Sequence, residues 1–168
     1  MSAQRLARSF YQNDVLHVAP QLLGKHIVIY NGHLPEKYTI TEVEAYRGEE
    51  DLACHASKGK TSRNKIMYAD GGFVYVYLIY GIYWMLNFVT GEKDNPQAVL
   101  IRCINGYNGP GKLTRKLGID GSFYGEDLVS SQKIWIEENH IKGKITSLPR
   151  IGIDYAGEYW KNKPWRFV

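Results

Sequence analysis

Two glutamates, a tyrosine and a histidine in one short segment could place general-base chemistry beside an aromatic ring. They lie in Thr39–His55, which reads TITEVEAYRGEEDLACH. Its first half alternates as a strand does. That predicts Tyr38, Ile40, Glu42, Glu44 and Tyr46 on one face, with Thr39, Thr41, Val43 and Ala45 on the other. A plain core strand would carry Val or Ile where this one carries carboxylates. Arg47-Gly48 ends the strand, and an acidic loop of Glu49, Glu50 and Asp51 leads to His55. The plainer reading is an edge strand with an acidic solvent face, so the segment needs partners to become a site.

Three other stretches offer them. Ser57–Lys65 holds four basic residues and no acid, usually a solvated loop, but one placed just after His55 to meet phosphate. Arg102 interrupts the apolar run AVLIRCI, so it either pairs with a carboxylate such as Glu44 or points into a site. Asn108–Gly118, NGPGKLTRKLG, is a glycine-rich turn opening a basic helix whose N–H groups could hold an anion; Gly-Pro-Gly is more often only a turn.

These residues need elements to position them. Asp14–Gly24 has helical spacing, Asp14 as N-cap and Gly24 as stop; Pro20 makes the helix either short, from near Val18, or bent. His26–Tyr30 and Tyr38–Tyr46 read as a hairpin about Asn31-Gly32. Asp70-Gly71-Gly72 precedes a strand carrying Tyr75 and Tyr77. Tyr80-Gly81 breaks it, and Ile82–Val89 resumes. Ala98–Ile104, Ile134–Glu138 and Ile151–Asp154 are further strands, and Trp165–Val168 closes the chain. Residues 1–12 form a basic lead-in, expected to be partly disordered and flexible over 1–8. Many strands without a βαβ rhythm predict an α+β fold: one domain over 1–168, a mainly antiparallel sheet with flanking helices.

Composition is consistent with this. A length of 168 residues suits one core, and a net charge of +4 permits a polyanion partner without requiring one. Cys54 and Cys103 are the only cysteines, without CxxC or paired-His spacing, so a zinc site or disulfide framework is not expected, and a reducing interior is. The N-terminus lacks a signal-like apolar run. Phe73–Val89, with four tyrosines, Gly81 and Asn87, is a poor membrane span.

Several motifs in fixed order resemble the alkyladenine (3-methyladenine, or methylpurine) DNA glycosylases. They are TEVEAYRGEEDLACH at 41–55, TSRNKIMY at 61–68, FVYVYLIYGIYWMLNFV at 73–89, AVLIRC at 98–103, NGPGKLTRKLGI at 108–119 and RIGIDYAGE at 150–158. The likeness covers roughly residues 9 to 166 and implies a curved sheet of that family's kind. It implies excision of alkylated or deaminated purines from double-stranded DNA by a monomer, without metal, cofactor or strand cleavage. The setting would be intracellular, nucleus or bacterial cytoplasm.

By resemblance, Glu44 is the general base for the attacking water, held also by Arg102 and the main-chain carbonyl of Ile151. Tyr46, His55 and Tyr77 would sandwich the flipped base, Asn87 would clash with the amino group of normal guanine, and Tyr80 would wedge into the duplex. Arg63, Asn64 and Lys112 would meet DNA. Tyr75, Tyr83 and Trp84 are expected in the core, and Glu42 in a structural role; Glu42 and His55 are the candidates for protonating a neutral leaving base. Departures from the family pattern are the end at KPWRFV, a longer loop at 91–97 and a shorter one at 57–62. Two competing readings are a damaged-DNA binding protein without hydrolysis and an RNA- or nucleoside-binding fold. Glu44 with Arg102 speaks against the first, and Tyr80, useful only in a duplex, against the second.

Overall fold

The computed structural model describes residues 3–141 and 143–168. A nine-stranded antiparallel sheet organises them, with its main path β3-β4-β5-β2-β1-β7. In chain order the strands are β1 His26–Tyr30, β2 Pro35–Arg47, β3 Val74–Ile79, β4 Tyr83–Thr90, β5 Gln97–Ile104, β6 Tyr107–Asn108, β7 Ile134–Glu137, β8 Ser147–Leu148 and β9 Arg166–Phe167. The helices are α1 Arg8–Tyr11, α2 Val15–Leu22, α3 Pro110–Leu117 and α4 Glu158–Lys161. No helix among the described residues is long and apolar enough to cross a membrane.

The longest strand, β2, joins the two halves of the sheet. Its first part pairs with β1 from Pro35 to Thr39, and its second pairs with β5 from Ile40 to Arg47. The register slips twice: Ile40 faces Ile104, Glu42 faces Cys103 and Val43 faces Ile101, leaving Thr41 extra on β2 and Arg102 extra on β5. Such bulges re-aim side chains. Ile40 and Val43, an odd number of residues apart, therefore both enter the main core. This corrects the expected single face: Tyr38 and Ile40 pack with the core, whereas Glu44 and Tyr46 face the opposite side with Val43 and Ala45 now inward.

The main core lies under α2 and α3, which contribute Val15, Val18, Ala19 and Leu22, and Leu113 and Leu117. Helix α3 begins at Gly109 with Pro110 in its first turn and ends at left-handed Gly118, where the Ile119 N–H donates to Thr114 O. Helix α2 starts at Val15 with Asp14 as its N-cap, as expected, and runs through Pro20 rather than starting near Val18. Asp14 accepts from the Leu16 N–H at 2.9 Å and from Arg47 Nε at 3.0 Å, while Gln97 Oε1 accepts the Val15 N–H.

Two other expectations change. Ile151–Asp154 is a bend followed by a 3₁₀ turn at Asp154–Ala156, because left-handed Gly152 (φ 75) breaks the extended backbone. The lead-in is seated from Arg5 onward: the Leu6 N–H donates to Ile136 O, and Tyr11 is fully buried. Gly71 approaches Tyr11 O so closely that a Cβ there would lie 2.2 Å from it. Met1 and Ser2, within the span expected to be flexible, lie outside the described residues. Asp14→Ala, which removes a helix cap and a partly exposed ion pair, should lower stability by about 1–2 kcal/mol. Urea unfolding with an unchanged m-value checks this.

Candidate functional site

The face of the sheet opposite the main core carries a cross-strand row, Tyr75 beside Asn87, Asn87 beside Leu100, and Leu100 beside Glu44. One step along the strands, Tyr46 stands opposite Ala98 and Ala98 opposite Val89. Period-two alternation thus collects polar and aromatic side chains from four adjacent strands on one surface. The loop after β2 and its 3₁₀ turn His55–Lys58 fold over this surface. They roof a small cavity that is partly open to solvent.

Tyr46, His55, Tyr77 and Asn87, all expected at a base pocket, line that cavity together with Met67 and Ala98. His55 and Tyr77 rings lie 4.4 Å apart, centroid to centroid. His55 Nδ1 is 2.8 Å from the Tyr75 hydroxyl, so Tyr75 is buried as expected but also orients the histidine. Burial first, then the charges of Arg63 and Lys58, push the His55 imidazole down to about 4. Asn87 is 3% exposed and donates from Nδ2 to Tyr75 O. Ala53, Cys54 and Tyr155 complete the lining and were not singled out from sequence. Tyr155 lies in the RIGIDYAGE motif, the one signal that could have found it. Its hydroxyl donates to Ala53 O across the mouth.

Glu44 lies beside the cavity wall and is fully buried. Its Oε2 accepts from the Tyr46 hydroxyl at 2.7 Å and its Oε1 from the Ile151 N–H at 2.8 Å. Arg102 Nη1 is 3.5 Å from Glu44 Oε1, and Arg102 Nε donates to Glu42 Oε1 at 3.3 Å. Of the two sequence alternatives for Arg102, the structure therefore shows the pairing with carboxylates, and Arg102 itself is not among the residues lining the cavity. Glu42 takes the structural role expected, held by Arg102, Arg166 and the Cys103 thiol. Its carboxyl is held low although burial works against this, because the hydrogen bonds from Cys103 and Arg166 and the two guanidinium charges outweigh desolvation.

The remaining residues fall outside the cavity. Tyr80 stands at the tip of the β3–β4 hairpin, 86% exposed, with φ 52, followed by Gly81 with φ 64. Two positive φ values suit a tight hairpin turn, but a bulky side chain there is strained, a frequent sign of function. Tyr83 is exposed beside it rather than in the core, packing on Gly111 of α3; Trp84 does pack against the core. Arg63 is exposed, its guanidinium 5.2 Å from the Tyr77 ring centroid, and Lys112 is exposed in the first turn of α3. Asn64 is corrected: it is 2% exposed and spends its amide on the loop itself. Its Oδ1 accepts the Thr61 N–H, and its Nδ2 donates to His55 O and Gly59 O.

Comparison with known proteins identifies the family. The chain matches the model of the methylpurine-DNA glycosylase family over residues 9–108 and 104–168. A Legionella pneumophila (strain Corby) relative is 43% identical over 98% of this chain and 93% of its own length. One from Methanocella arvoryzae is 42% identical over 96% and 90%, and one from Chlamydia abortus 43% identical over 97% and 97%. Each is named "Putative 3-methyladenine DNA glycosylase". With a family match over nearly all of its length and relatives of this similarity, the chain belongs to the methylpurine-DNA glycosylase family.

Proposed function

We propose that the cavity receives an alkylated or deaminated purine rotated out of duplex DNA, and that Glu44 directs water onto its sugar carbon. The observation that carries this reading is a fully buried carboxylate hydrogen-bonded to a ring of an aromatic cavity, with an arginine beside it. Tyr46 and Tyr77 offer stacking faces worth roughly 1–3 kcal/mol per base. Tyr80 fills the gap left in the duplex, Arg63 and Lys112 meet phosphates, and Asn87 excludes the amino group of guanine.

In the reaction the bond from the sugar C1′ to the purine nitrogen breaks, and the base leaves with the electron pair. Water adds to C1′ and gives its proton to Glu44, whose negative charge also steadies the cationic sugar. Arg102 and the carbonyl of Ile151 hold the water. The products are a free base and an abasic site in an unbroken strand, and no lysine is needed. His55, held to about 4, and Glu42, held low, are an uncharged imidazole and a carboxylate at neutral pH. A neutral base such as hypoxanthine therefore leaves as its anion and takes its proton from solvent. Purines methylated at N3 or N7 already bear positive charge and leave without a donor.

The test is release of free base from methylated duplex DNA and from a duplex with one hypoxanthine, strands staying intact until alkali is added. Absence of release from both would overturn the reading. Tyr80→Ala should slow excision from duplex by about tenfold or more while sparing single strands; equal losses would refute the wedge.

His55 also ties the site to stability. Unfolded, it takes up a proton near its ordinary 6.5; folded, only near about 4. Its contribution is therefore complete above the higher value and is lost as pH falls toward the lower. Stability should decline across that window, and His55→Gln should flatten part of the decline in urea midpoints measured against pH.

A further inference from the structure

Asp51 and Arg150 are the most deeply buried charges outside the reaction just described. Both side chains are fully buried. Arg150 Nη1 donates to Asp51 Oδ2 at 2.6 Å and Nη2 to Asp51 Oδ1 at 3.0 Å, a two-pronged pair. The same guanidinium donates to Ala45 O in β2 and to Trp160 O in α4. It lies between two rings, 4.9 Å from the Tyr46 centroid and 5.0 Å from that of Trp165. Asp51 in turn accepts the N–H groups of Arg47 and Ala53 at the two ends of the loop that leads to His55.

Mere stability does not account for this unit. A buried ion pair can often be replaced by apolar residues of similar volume at no loss, because desolvation cancels the attraction. Here Arg150 Nε is left without a hydrogen-bond partner among the described residues, so the pair is not optimised for stability alone. Its place is more telling. Among the described residues, no backbone-to-backbone hydrogen bond holds residues 149–152. That stretch is fixed instead by Arg166 Nε donating to Pro149 O, by the Arg150 fork and by the Ile151 N–H on Glu44.

We propose that Asp51 and Arg150 are positioning residues, whose pair seats the Ile151 amide on Glu44 and braces the Tyr46 ring at the cavity wall. The assignment rests on the glycosylase reading for its effect on rate, but not for its geometry. The pair joins the His55 loop, strand β2 and the Ile151 segment at one point. Loosening it displaces the carboxylate and the water-holding carbonyl together while leaving both residues in the chain.

Arg150→Lys keeps the cation and loses the fork; Asp51→Asn with Arg150→Gln replaces the pair by a neutral one that buries no charge. Amide hydrogen exchange is measured by NMR on both folded variants. The Ile151 amide should exchange about tenfold faster or more, while the Ile40 and Val89 core amides keep their protection. Single-turnover excision per folded molecule should fall about 10–100-fold with lesion binding nearly unchanged. Ile151 protection that is unchanged in the variants, or that falls only in step with Ile40 and Val89, overturns the proposal, as does a wild-type rate. If the wild type itself releases no base, the glycosylase reading fails, and the exchange measurement still decides the positioning role.

Discussion

The site depends on a break in strand register. A pleated strand sends alternate residues to opposite sides, so Ile40 and Val43 cannot both enter one core without an extra residue between them. The slips at Thr41 and Arg102 supply one residue on each of two neighbouring strands. Beyond them, Val43 and Ala45 face the core, while Tyr46 lines the cavity with Glu44 buried against its hydroxyl. The same irregularity leaves Arg102 extra on β5, beside the two carboxylates it bonds. One local defect therefore orients the carboxylate, the ring and the cation at once. Without it, Glu44 would face the apolar core with no partner for its charge, at a cost of several kcal/mol.

The rest of the molecule closes this surface in. Strands β4 and β5 are buried on both faces, which explains their nearly unbroken apolar sequences. One face is covered by α2 and α3, the other by the loop carrying His55 and by the segment around Ile151. Burial on the second face removes water from Glu44 and keeps His55 neutral, so electrostatic interactions there act at full strength. Tyr80, by contrast, is kept in solvent on a turn whose backbone a smaller residue would adopt more easily. Cavity and hairpin tip both depart from what stability alone would select.

Much of this was legible in the chain. Alternation placed Glu44 with Tyr46, the helix cap at Asp14 was readable from its side-chain chemistry, and the Tyr80-Gly81 break marked the hairpin. The bulges were not legible, because register depends on a partner strand sixty residues away in the chain, as Arg102 is from Glu42. Ile151–Asp154 reads as a strand by composition, yet left-handed Gly152 and the tether through Arg150 make it a bend. The pairing of Arg150 with Asp51 spans 99 residues, and nothing local distinguishes Asp51 from the exposed Glu49 and Glu50 beside it. Asn64 was expected to meet DNA from the resemblance alone, and only the folded loop reveals an amide turned inward.

The central claim is that Glu44 activates water for hydrolysis rather than merely bracing the cavity. Its most direct test is single-turnover excision from a duplex carrying one hypoxanthine, and separately one ethenoadenine, with wild type and Glu44→Gln side by side. Free base is expected from the wild type and none from Glu44→Gln, with lesion affinity retained by the variant. Excision by Glu44→Gln at the wild-type rate, or tight lesion binding by a wild type that releases no base from these or from methylated DNA, would contradict it.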